Sequence, residues 1–157
     1  MPIKLRPIKI SDAKYIAKIL SSKKMLKTLD SSHPFPIPVN YIQDKILIDK
    51  ENRKNGRAYK FVILNNKQVV GQISLYNPNK SKKSYEVGYF VGNKFWNKGI
   101  ATEAIKQIIK FGFSRLKLTK IWAGTIINNP ASGRALEKAG FKHKKIKNKY
   151  SNWQITI

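Results

Sequence analysis

Apolar and polar residues alternate along several short stretches of the chain, and this alternation predicts β-strands. Ile3–Ile10 is the first of them, and Ala58–Leu64, Gln68–Tyr76 and Ser84–Val91 follow later with only short polar segments between them. Asn65-Asn66 suits a tight turn between the first two of these later strands, because asparagine tolerates a positive φ. The pattern therefore predicts an antiparallel meander in the middle of the chain.

Elsewhere apolar residues recur every three or four positions, which predicts helices. Ser11-Asp12 offers an N-cap to the first helix, and Val39–Asn52 and Ile100–Arg115 carry helical stripes of their own. A shorter helix begins at Asn129-Pro130, since proline fits the first helical turn, and it ends at Ala139-Gly140.

The remaining stretches complete the predicted topology. Leu118–Gly124 is predicted as a strand, and Phe141–Lys147 and Tyr150–Ile157 as a final hairpin. Asp30–Pro38 contains three prolines at alternate positions and is predicted to be an ordered loop. The order β α α β β β α β α β β predicts an α/β (α+β) fold, with a mixed, mostly antiparallel sheet of about seven strands and about four helices.

Composition narrows the classes of protein to which the chain can belong. Its 157 residues are the length of one domain, so we expect a single domain over residues 1–157. There is no cysteine, and His33 and His143 lie far apart without clustered acids, so no metal site is predicted. No run of about 18 apolar residues exists to span a membrane. We therefore expect a cytoplasmic protein that acts without a membrane.

The charge is strongly asymmetric. Thirty-two Lys and Arg residues face eight Asp and Glu residues, which gives a formal net charge of +24. Such a field attracts polyanions. Three explanations are open: a compositional drift, since the lysines are spread along the chain; steering of a small anionic cofactor; and docking on RNA or on a ribosome.

The segment Trp96-Asn-Lys-Gly-Ile-Ala-Thr102 joins a predicted strand to a predicted helix. The first N–H groups of a helix have no partner within it, and the helix dipole attracts anions to this end. Gly99 would let a phosphate approach the backbone, and Lys98 would add positive charge. A glycine that only eases the turn is the alternative explanation of the same residues.

Two longer motifs make a phosphate ligand the better explanation. They are Phe95-Trp-Asn-Lys-Gly-Ile-Ala-Thr-Glu-Ala104 and the downstream pair Asn129-Pro-Ala-Ser132 and Glu137-Lys-Ala-Gly-Phe141. Together they resemble the GNAT superfamily of N-acetyltransferases, which transfer an acetyl group from acetyl-CoA to an amine. Trp96 departs from the Gln/Arg that the superfamily favours, but it is typical of the Rim-like branch, which modifies the N-termini of ribosomal proteins. The resemblance covers nearly the whole chain and implies a GNAT-like fold.

The resemblance also implies a set of cofactor contacts. The backbone of Phe90 and Val91 would pair with the pantetheine arm of acetyl-CoA, with a backbone N–H near Val91 polarising the thioester carbonyl, and the loop after them would hold the diphosphate. Asn129 and Ser132 would contact the arm, and Arg134 and Lys138 the nucleotide end, although both cations are equally explained as solvated charges. The implied cofactor-binding residues are Phe90, Val91, Trp96, Asn97, Lys98, Gly99, Ile100, Ala101, Thr102, Asn129, Ser132, Arg134 and Lys138.

Two residues are candidates for catalysis. Glu86 lies on the strand before the phosphate loop, and a carboxylate there would take the proton that an amine must lose before it attacks. A structural acid paired with a lysine is the alternative. The resemblance implies Ser132, or solvent, as the acid for the departing thiolate, because this chain has Leu136 where the superfamily often has a tyrosine. A serine on the helix surface without a special task is the alternative. Without cysteine, the amine would attack directly in a ternary complex.

The acetyl acceptor is the open question at this stage. A protein N-terminus, as in the Rim-like branch, is the first candidate, and a polyamine, amino acid or antibiotic is the second. We expect His33, Phe35, Tyr41 and Glu86 to form the acceptor site, although a histidine beside proline also occurs as an ordinary loop residue. An inactive protein of GNAT shape that binds nucleic acid through stacking aromatics is a third candidate, with Tyr85, Tyr89, Phe95 and Trp96 as its stacking residues.

Overall fold

A computed structural model describes residues 2–27, 33–126 and 129–157, and the side chain of residue 126 lies outside that description. One seven-stranded sheet has the order β1-β2-β3-β4-β5-β7-β6. Every neighbouring pair is antiparallel except β4 and β5, which are parallel. The strands are β1 Ile3–Pro7, β2 Tyr59–Asn65, β3 Gln68–Asn79, β4 Ser84–Val91, β5 Lys120–Ile126, β6 Lys142–Lys147 and β7 Tyr150–Thr156.

Helices cover both faces of the sheet. One core cluster joins β-strand residues such as Ile63 and Ile73 to two helices, and the second joins Val62 to the other three. The helices on the first face are α4 Ile100–Ser114 and α5 Pro130–Lys138; those on the second are α1 Ala13–Leu20, α2 Lys23–Leu26 and α3 Val39–Lys54. The predicted topology is therefore confirmed, with the single turn of α2 as an additional helix.

Several boundaries differ from the prediction by one or more residues; β5, for example, was predicted over Leu118–Gly124 and spans Lys120–Ile126. β1 ends at Pro7 rather than Ile10, and a 3₁₀ turn follows at Ile10–Asp12. The β2–β3 turn is built from Asn66 and Lys67, both at positive φ, one position later than predicted. β3 continues to Asn79, into the predicted loop, through an irregularity after Tyr76. Of the predicted proline-rich loop, residues 30–32 lie outside the described residues, and 33–38 have no helix or strand.

Gly71 of β3 allows the two strands to pair where it lies opposite Val91 of β4. A Cβ atom there would come within 2.2 Å of the Phe90 carbonyl oxygen and 3.0 Å of the Val91 Cα. Both contacts are to backbone, which cannot move aside without breaking the β3–β4 ladder. A glycine is therefore required opposite the end of β4, the strand from which the candidate site is built.

Asp12 connects β1 to the first helical turn. Its carboxylate is 3% exposed and accepts two hydrogen bonds from the Arg6 guanidinium, at 2.9 and 3.0 Å, and one from the Lys9 backbone N–H at 2.9 Å. It was predicted to cap α1, but its side chain makes no such bond and reaches back to Lys9 instead. The carboxylate thus fixes the path of the chain from the edge strand into α1.

We expect Asp12→Asn to lower the free energy of unfolding by about 2 kcal/mol, because the buried pair loses its negative charge and one of the two oxygens that accept from Arg6. The Arg6 side chain is 32% exposed and stays hydrated, which limits the loss. Urea titration checks the value, with Asp44→Asn on the exposed side of α3 as the control expected to change stability by less than about 0.5 kcal/mol. A loss at Asp12 as small as that of the control would contradict this role.

Candidate active site

Strands β4 and β5 separate partway along their length. Their parallel pairing covers only Ser84–Glu86 against Lys120–Trp122. Beyond this point the two strands diverge, and a cavity of about 630 Å³ opens between them. Residues from β4, β5, the start of α4 with the loop before it, and α5 line it, among them Glu86, Val91, Gly99, Thr125 and Ser132.

One edge of β4 is left without a strand partner along this cavity. The Gly92 N–H donates to the Val70 carbonyl of β3 at 2.8 Å, so by strand alternation the backbone groups of Phe90 also face β3. Those of Val91 and Tyr89 face the cavity. The prediction that Phe90 offers its backbone to a cofactor is therefore wrong in geometry, although Phe90 does line the cavity.

Trp96 closes the loop over the end of β4. Its indole Nε1–H donates to the Val91 carbonyl at 2.7 Å, and its side chain lines the cavity while 37% exposed. Because the Val91 carbonyl is used by this bond, the N–H of Val91 is its backbone group that can bind a ligand in the cavity. The tryptophan that departs from the superfamily motif thus sets the position of the loop.

The N-terminus of α4 opens into the same cavity. Gly99 precedes the helix at φ +76°, and its carbonyl accepts the first intrahelical hydrogen bond, from the Glu103 N–H at 3.1 Å. The N–H groups of Ile100, Ala101 and Thr102 therefore have no partner within the helix. Among the described residues, and apart from the chain next to Gly99, nothing lies within 4 Å of the position that a Cβ would take on this glycine. The arrangement is an open cradle of backbone donors at the positive end of a helix dipole.

Lys98 does not reach this cradle. Residues 96–102 line the cavity except Lys98, whose ammonium lies 5.9 Å from the centre of the Phe95 ring. The positive charge expected from Lys98 at the helix mouth is thus directed over an aromatic ring. The other predicted cations, Arg134 and Lys138, do line the cavity from the outer side of α5, one helical turn apart.

Glu86 lies at the opposite end of the cavity, where the strands begin to separate. Its Oε1 accepts a hydrogen bond from the Asn77 side-chain Nδ2 at 2.8 Å. Tyr76 is the cross-strand neighbour of Glu86 and lies over Gly88. Burial, followed by its interaction with the Glu86 carboxylate, raises the pKa of Tyr76 far above its ordinary value, so its hydroxyl keeps its proton. Glu86 is therefore a carboxylate with an oriented polar neighbourhood and access to the cavity.

The first turn of α5 contributes Asn129 and Ser132. Asn129 holds the N-cap position of α5, but its side chain makes no capping bond, and its Nδ2 lies 3.4 Å from the Ser132 Oγ. Tyr89 of β4 donates its hydroxyl hydrogen bond to the Ser132 backbone carbonyl at 3.0 Å. Burial raises the pKa of Tyr89 to about 12, so it remains a donor at neutral pH. Leu136 is fully buried in the core and lines no part of the cavity.

Sequence reasoning missed Tyr76, Asn77 and the positioning role of Tyr89. Tyr76 and Asn77 reach Glu86 because of the β3–β4 register, which the irregularity after Tyr76 makes unreadable from the sequence. Tyr89 was identified only as a stacking aromatic. The alternation of β4 would have placed its side chain on the face that α5 covers, had the position of α5 been known.

The acceptor residues predicted in the proline-rich loop and in the first turn of α3 lie away from the cavity. His33, Phe35 and Tyr41 do not line the cavity, whereas Met25 of α2 does. The His33 Nδ1 lies 2.7 Å from the Tyr41 hydroxyl, and the two rings meet edge to face. A role for these three residues in binding an acceptor stays a prediction.

We expect His33 to make stability depend on pH. Burial, and then the charges of Lys45 and Lys60, lower its pKa in the folded protein. The unfolded chain therefore binds more protons just below pH 6.5, so the stability from neutral His33 is complete above that pH and is lost as the pH falls towards the folded pKa. Urea titrations at pH 5 and 7.5 check this: the fall in stability should be smaller in His33→Gln. An equal fall in both proteins would contradict it.

The described residues contain no cluster of three or more His, Cys, Asp or Glu side chains that could hold a metal ion. Within the same residues, no helix is long and apolar enough to cross a membrane.

Comparison with known proteins identifies the family. A family model described as an acetyltransferase (GNAT) domain matches residues 3–142. The structure of Mycobacterium smegmatis RimJ in complex with CoA-disulfide superposes with a TM-score of 0.88 at 22% identity, over 98% of this chain and 81% of that chain. A ribosomal-protein-S5-alanine acetyltransferase from Vibrio fischeri gives a TM-score of 0.85 at 24% identity, over 98% and 92%.

Another relative acts, by its name, on a different class of acceptor. The spermidine N(1)-acetyltransferase of Escherichia coli (strain K12) is 22% identical over 140 residues, which are 88% of this chain and 72% of that protein. Similarity at this level therefore leaves the acceptor undecided. The family match spans nearly nine tenths of the chain and includes every residue that lines the cavity except Tyr150. The chain belongs to the GNAT acetyltransferase family and is an acetyl-CoA-dependent N-acetyltransferase.

Proposed function

We propose that this enzyme transfers the acetyl group of acetyl-CoA to the N-terminal amine of a protein, by direct attack in a ternary complex. The observation that carries the proposal is the cavity between β4 and β5. It has the open N-terminus of α4 at one end and the Glu86 carboxylate at the other. A molecule with an anionic head and an extended arm would lie along it, with its reactive end near Glu86.

The residues present fit acetyl-CoA. Three helix N–H groups without helical partners and the free space beside Gly99 suit a diphosphate. The unpaired edge of β4 suits an extended amide-bearing arm, which would hydrogen-bond to the backbone of Tyr89 and Val91 as an added strand does. Arg134 and Lys138 at the rim suit the outer phosphate. Lys98 would need to leave the Phe95 ring to contribute.

Acetyl-CoA supplies an acetyl group activated as a thioester, and the chain supplies proton transfer and orientation. An amine is protonated at neutral pH, and Glu86 would accept its proton directly or through one water. Asn77 holds one carboxylate oxygen, which orients the group towards the cavity. The Ser132 hydroxyl, close to Asn129, would give a proton to the leaving sulfur. The chain has no cysteine to carry an acyl group, which favours direct attack.

The charges around the cavity support an acceptor that carries a single ammonium group. Glu86 is the sole carboxylate among the described residues that line it, and two cations lie at its rim. A polyamine carries several ammonium groups, each of which needs a partner, and the net charge of +24 repels it further. A protein N-terminus brings one ammonium to the single carboxylate. Newly made N-termini and acetyl-CoA meet in the cytoplasm, where we place the reaction.

Steady-state assays with labelled acetyl-CoA test the acceptor class. We expect kcat/KM for peptides that carry the N-terminal residues of ribosomal proteins to exceed kcat/KM for spermidine and for an aminoglycoside by about a hundredfold or more, because one buried ammonium in place of several avoids unpaired charge. The same peptides with a blocked N-terminus are the control and should accept nothing. Faster acetylation of spermidine would overturn the proposed acceptor and leave the enzyme class intact.

A further inference from the structure

The face of the sheet that carries Glu86 continues, strand by strand, to the far edge of the molecule. Directly paired residues on neighbouring strands point to the same face. The register therefore places one row of side chains across five strands on the Glu86 face: Tyr76, Glu86, Trp122, Gln154 and Lys142. Three strand spacings separate Glu86 from Lys142, which is about 14 Å.

An irregularity in β6 adds two further lysines to that face. The β6–β7 register shifts between His143 and Lys145, so Lys145 pairs with Asn152 and Lys147 with Tyr150. Asn152 and Tyr150 alternate with Gln154 along β7 and share its face. Without the shift, Lys145 would share the face of His143, whose ring packs against Trp153 on the α5 side at 4.9 Å. We name Lys142, Lys145 and Lys147 the basic row.

The basic row is exposed and has no carboxylate partner in the described part of the chain. All six residues of β6 are exposed. Helices α4 and α5 pack on the opposite face, and α1 and α3 pack over β2 and β3. Residues 142–157 contain five lysines and no Asp or Glu. The two ion pairs found among residues 2–27, 33–126 and 129–157 join Arg6 to Asp12 and Lys60 to Asp49, far along the sheet.

Protection of an edge strand does not account for this arrangement by itself. Lysines on an edge strand do prevent pairing with another sheet. That protection needs charge on either face. The register shift instead raises the number of lysines on the face that leads to Glu86 from two, Lys142 and Lys144, to three. The same charges oppose pairing with a second copy of the chain, because two basic rows would then meet.

We propose that the basic row is a docking surface for single-stranded RNA. Lysine ammonium groups bind phosphates, and a flat sheet face cannot enter a duplex groove but can support a single strand. Tyr150, the direct cross-strand partner of Lys147, is 40% exposed and marks the end of the surface on β7. Tyr150 also lines the cavity, so the surface adjoins the site, while Lys142 lies in the same cross-strand row as Glu86.

The inference deepens the proposed function but does not depend on it for its test. If a protein N-terminus is the acceptor, RNA held on the basic row would bring an RNA-associated acceptor to Glu86. That consequence rests on the proposed function. RNA binding itself requires neither acetyl-CoA nor activity, so it is measured separately.

Fluorescence anisotropy with a labelled 20-nucleotide single-stranded RNA of mixed sequence tests the proposal on the full chain. We expect Lys142→Gln/Lys145→Gln/Lys147→Gln to weaken binding by about tenfold or more at 0.1 M KCl, and to reduce the slope of log affinity against log salt by about 2, since each single-strand phosphate contact contributes about 0.7. The matched control removes three exposed lysines elsewhere, Lys50→Gln/Lys54→Gln/Lys110→Gln, and should change both values much less.

Equal weakening by the control triple variant would overturn the proposal, because RNA binding would then depend on the overall charge of the protein and not on the basic row. Competition by a polyglutamate peptide as effective as that by unlabelled RNA would overturn the choice of RNA as occupant. Acetyl-CoA affinity, measured by calorimetry on the same variants, should stay unchanged; this reports correct folding and keeps the failure of RNA docking distinct from the failure of the proposed function.

Discussion

Replacement of Glu86 by glutamine is expected to lower kcat by between about 10² and 10⁴, because the amine acceptor then has no carboxylate to take its proton. Glutamine keeps the size of the side chain and an oxygen that accepts from Asn77, so the local structure should persist. The affinity for acetyl-CoA should stay within about twofold, since Glu86 lies at the end of the cavity away from the helix N-terminus. Steady-state rates with an acceptor peptide, together with calorimetry, separate the two quantities.

The matched control is Glu51→Gln, which removes an exposed carboxylate near the end of α3 whose partner is Asn55. It should leave kcat unchanged. Activity of Glu86→Gln within about threefold of the original would remove Glu86 from the proton-transfer role and leave water as the base. The thermal melting temperature of each variant should be measured alongside, so that a loss of fold is not counted as a loss of catalysis.

Gly99→Asp is expected to weaken the binding of acetyl-CoA by about a hundredfold or more relative to Gly99→Asn. Aspartate and asparagine both tolerate the positive φ of Gly99, so we expect the two variants to have a similar backbone strain. They differ by one negative charge at the mouth of α4, where a diphosphate would lie. Two like charges about 4 Å apart near a protein surface repel by roughly 4 kcal/mol, and solvent reduces this value.

Isothermal calorimetry with acetyl-CoA measures the comparison, and the asparagine variant serves as its own steric control. Both side chains would enter the open space beside Gly99, so a loss common to both reports blocking. Only the additional loss in the aspartate variant reports charge. Equal affinities for the two variants would mean that no anionic group binds at this helix terminus.

Much of the fold could be predicted because local signals determine it. Alternation identified the strands from Tyr59 to Val91, and the stripe from Ile100 to Ser114 identified α4. Asn129-Pro130 located the start of α5. Each signal acts over a few residues and competes with little else. The backbone donors at Gly99 could also be predicted locally. A glycine directly before a helix leaves the first N–H groups of that helix accessible.

The rest depends on register, which the sequence does not encode locally. That Val91 rather than Phe90 turns its backbone to the cavity follows from the Gly92–Val70 hydrogen bond between β4 and β3. The closeness of Tyr76 to Glu86 follows from the same pairing. The basic row depends on the shift in β6, and His33 meets Tyr41 rather than the cavity because of the path of the loop before α3. Each of these requires a partner strand or helix that is distant in sequence.

Amide hydrogen exchange resolved by residue, with and without acetyl-CoA, tests whether the cofactor lies along β4 with its diphosphate at the N-terminus of α4. If it does, we expect slower exchange at the N–H groups of Tyr89 and Val91 on the open edge of β4, and at those of Ile100, Ala101 and Thr102 at the start of α4. The Phe90 N–H, already directed at β3, should change little. Binding that protects none of these five amides, or protects only α5 and the C-terminal hairpin, would contradict the account.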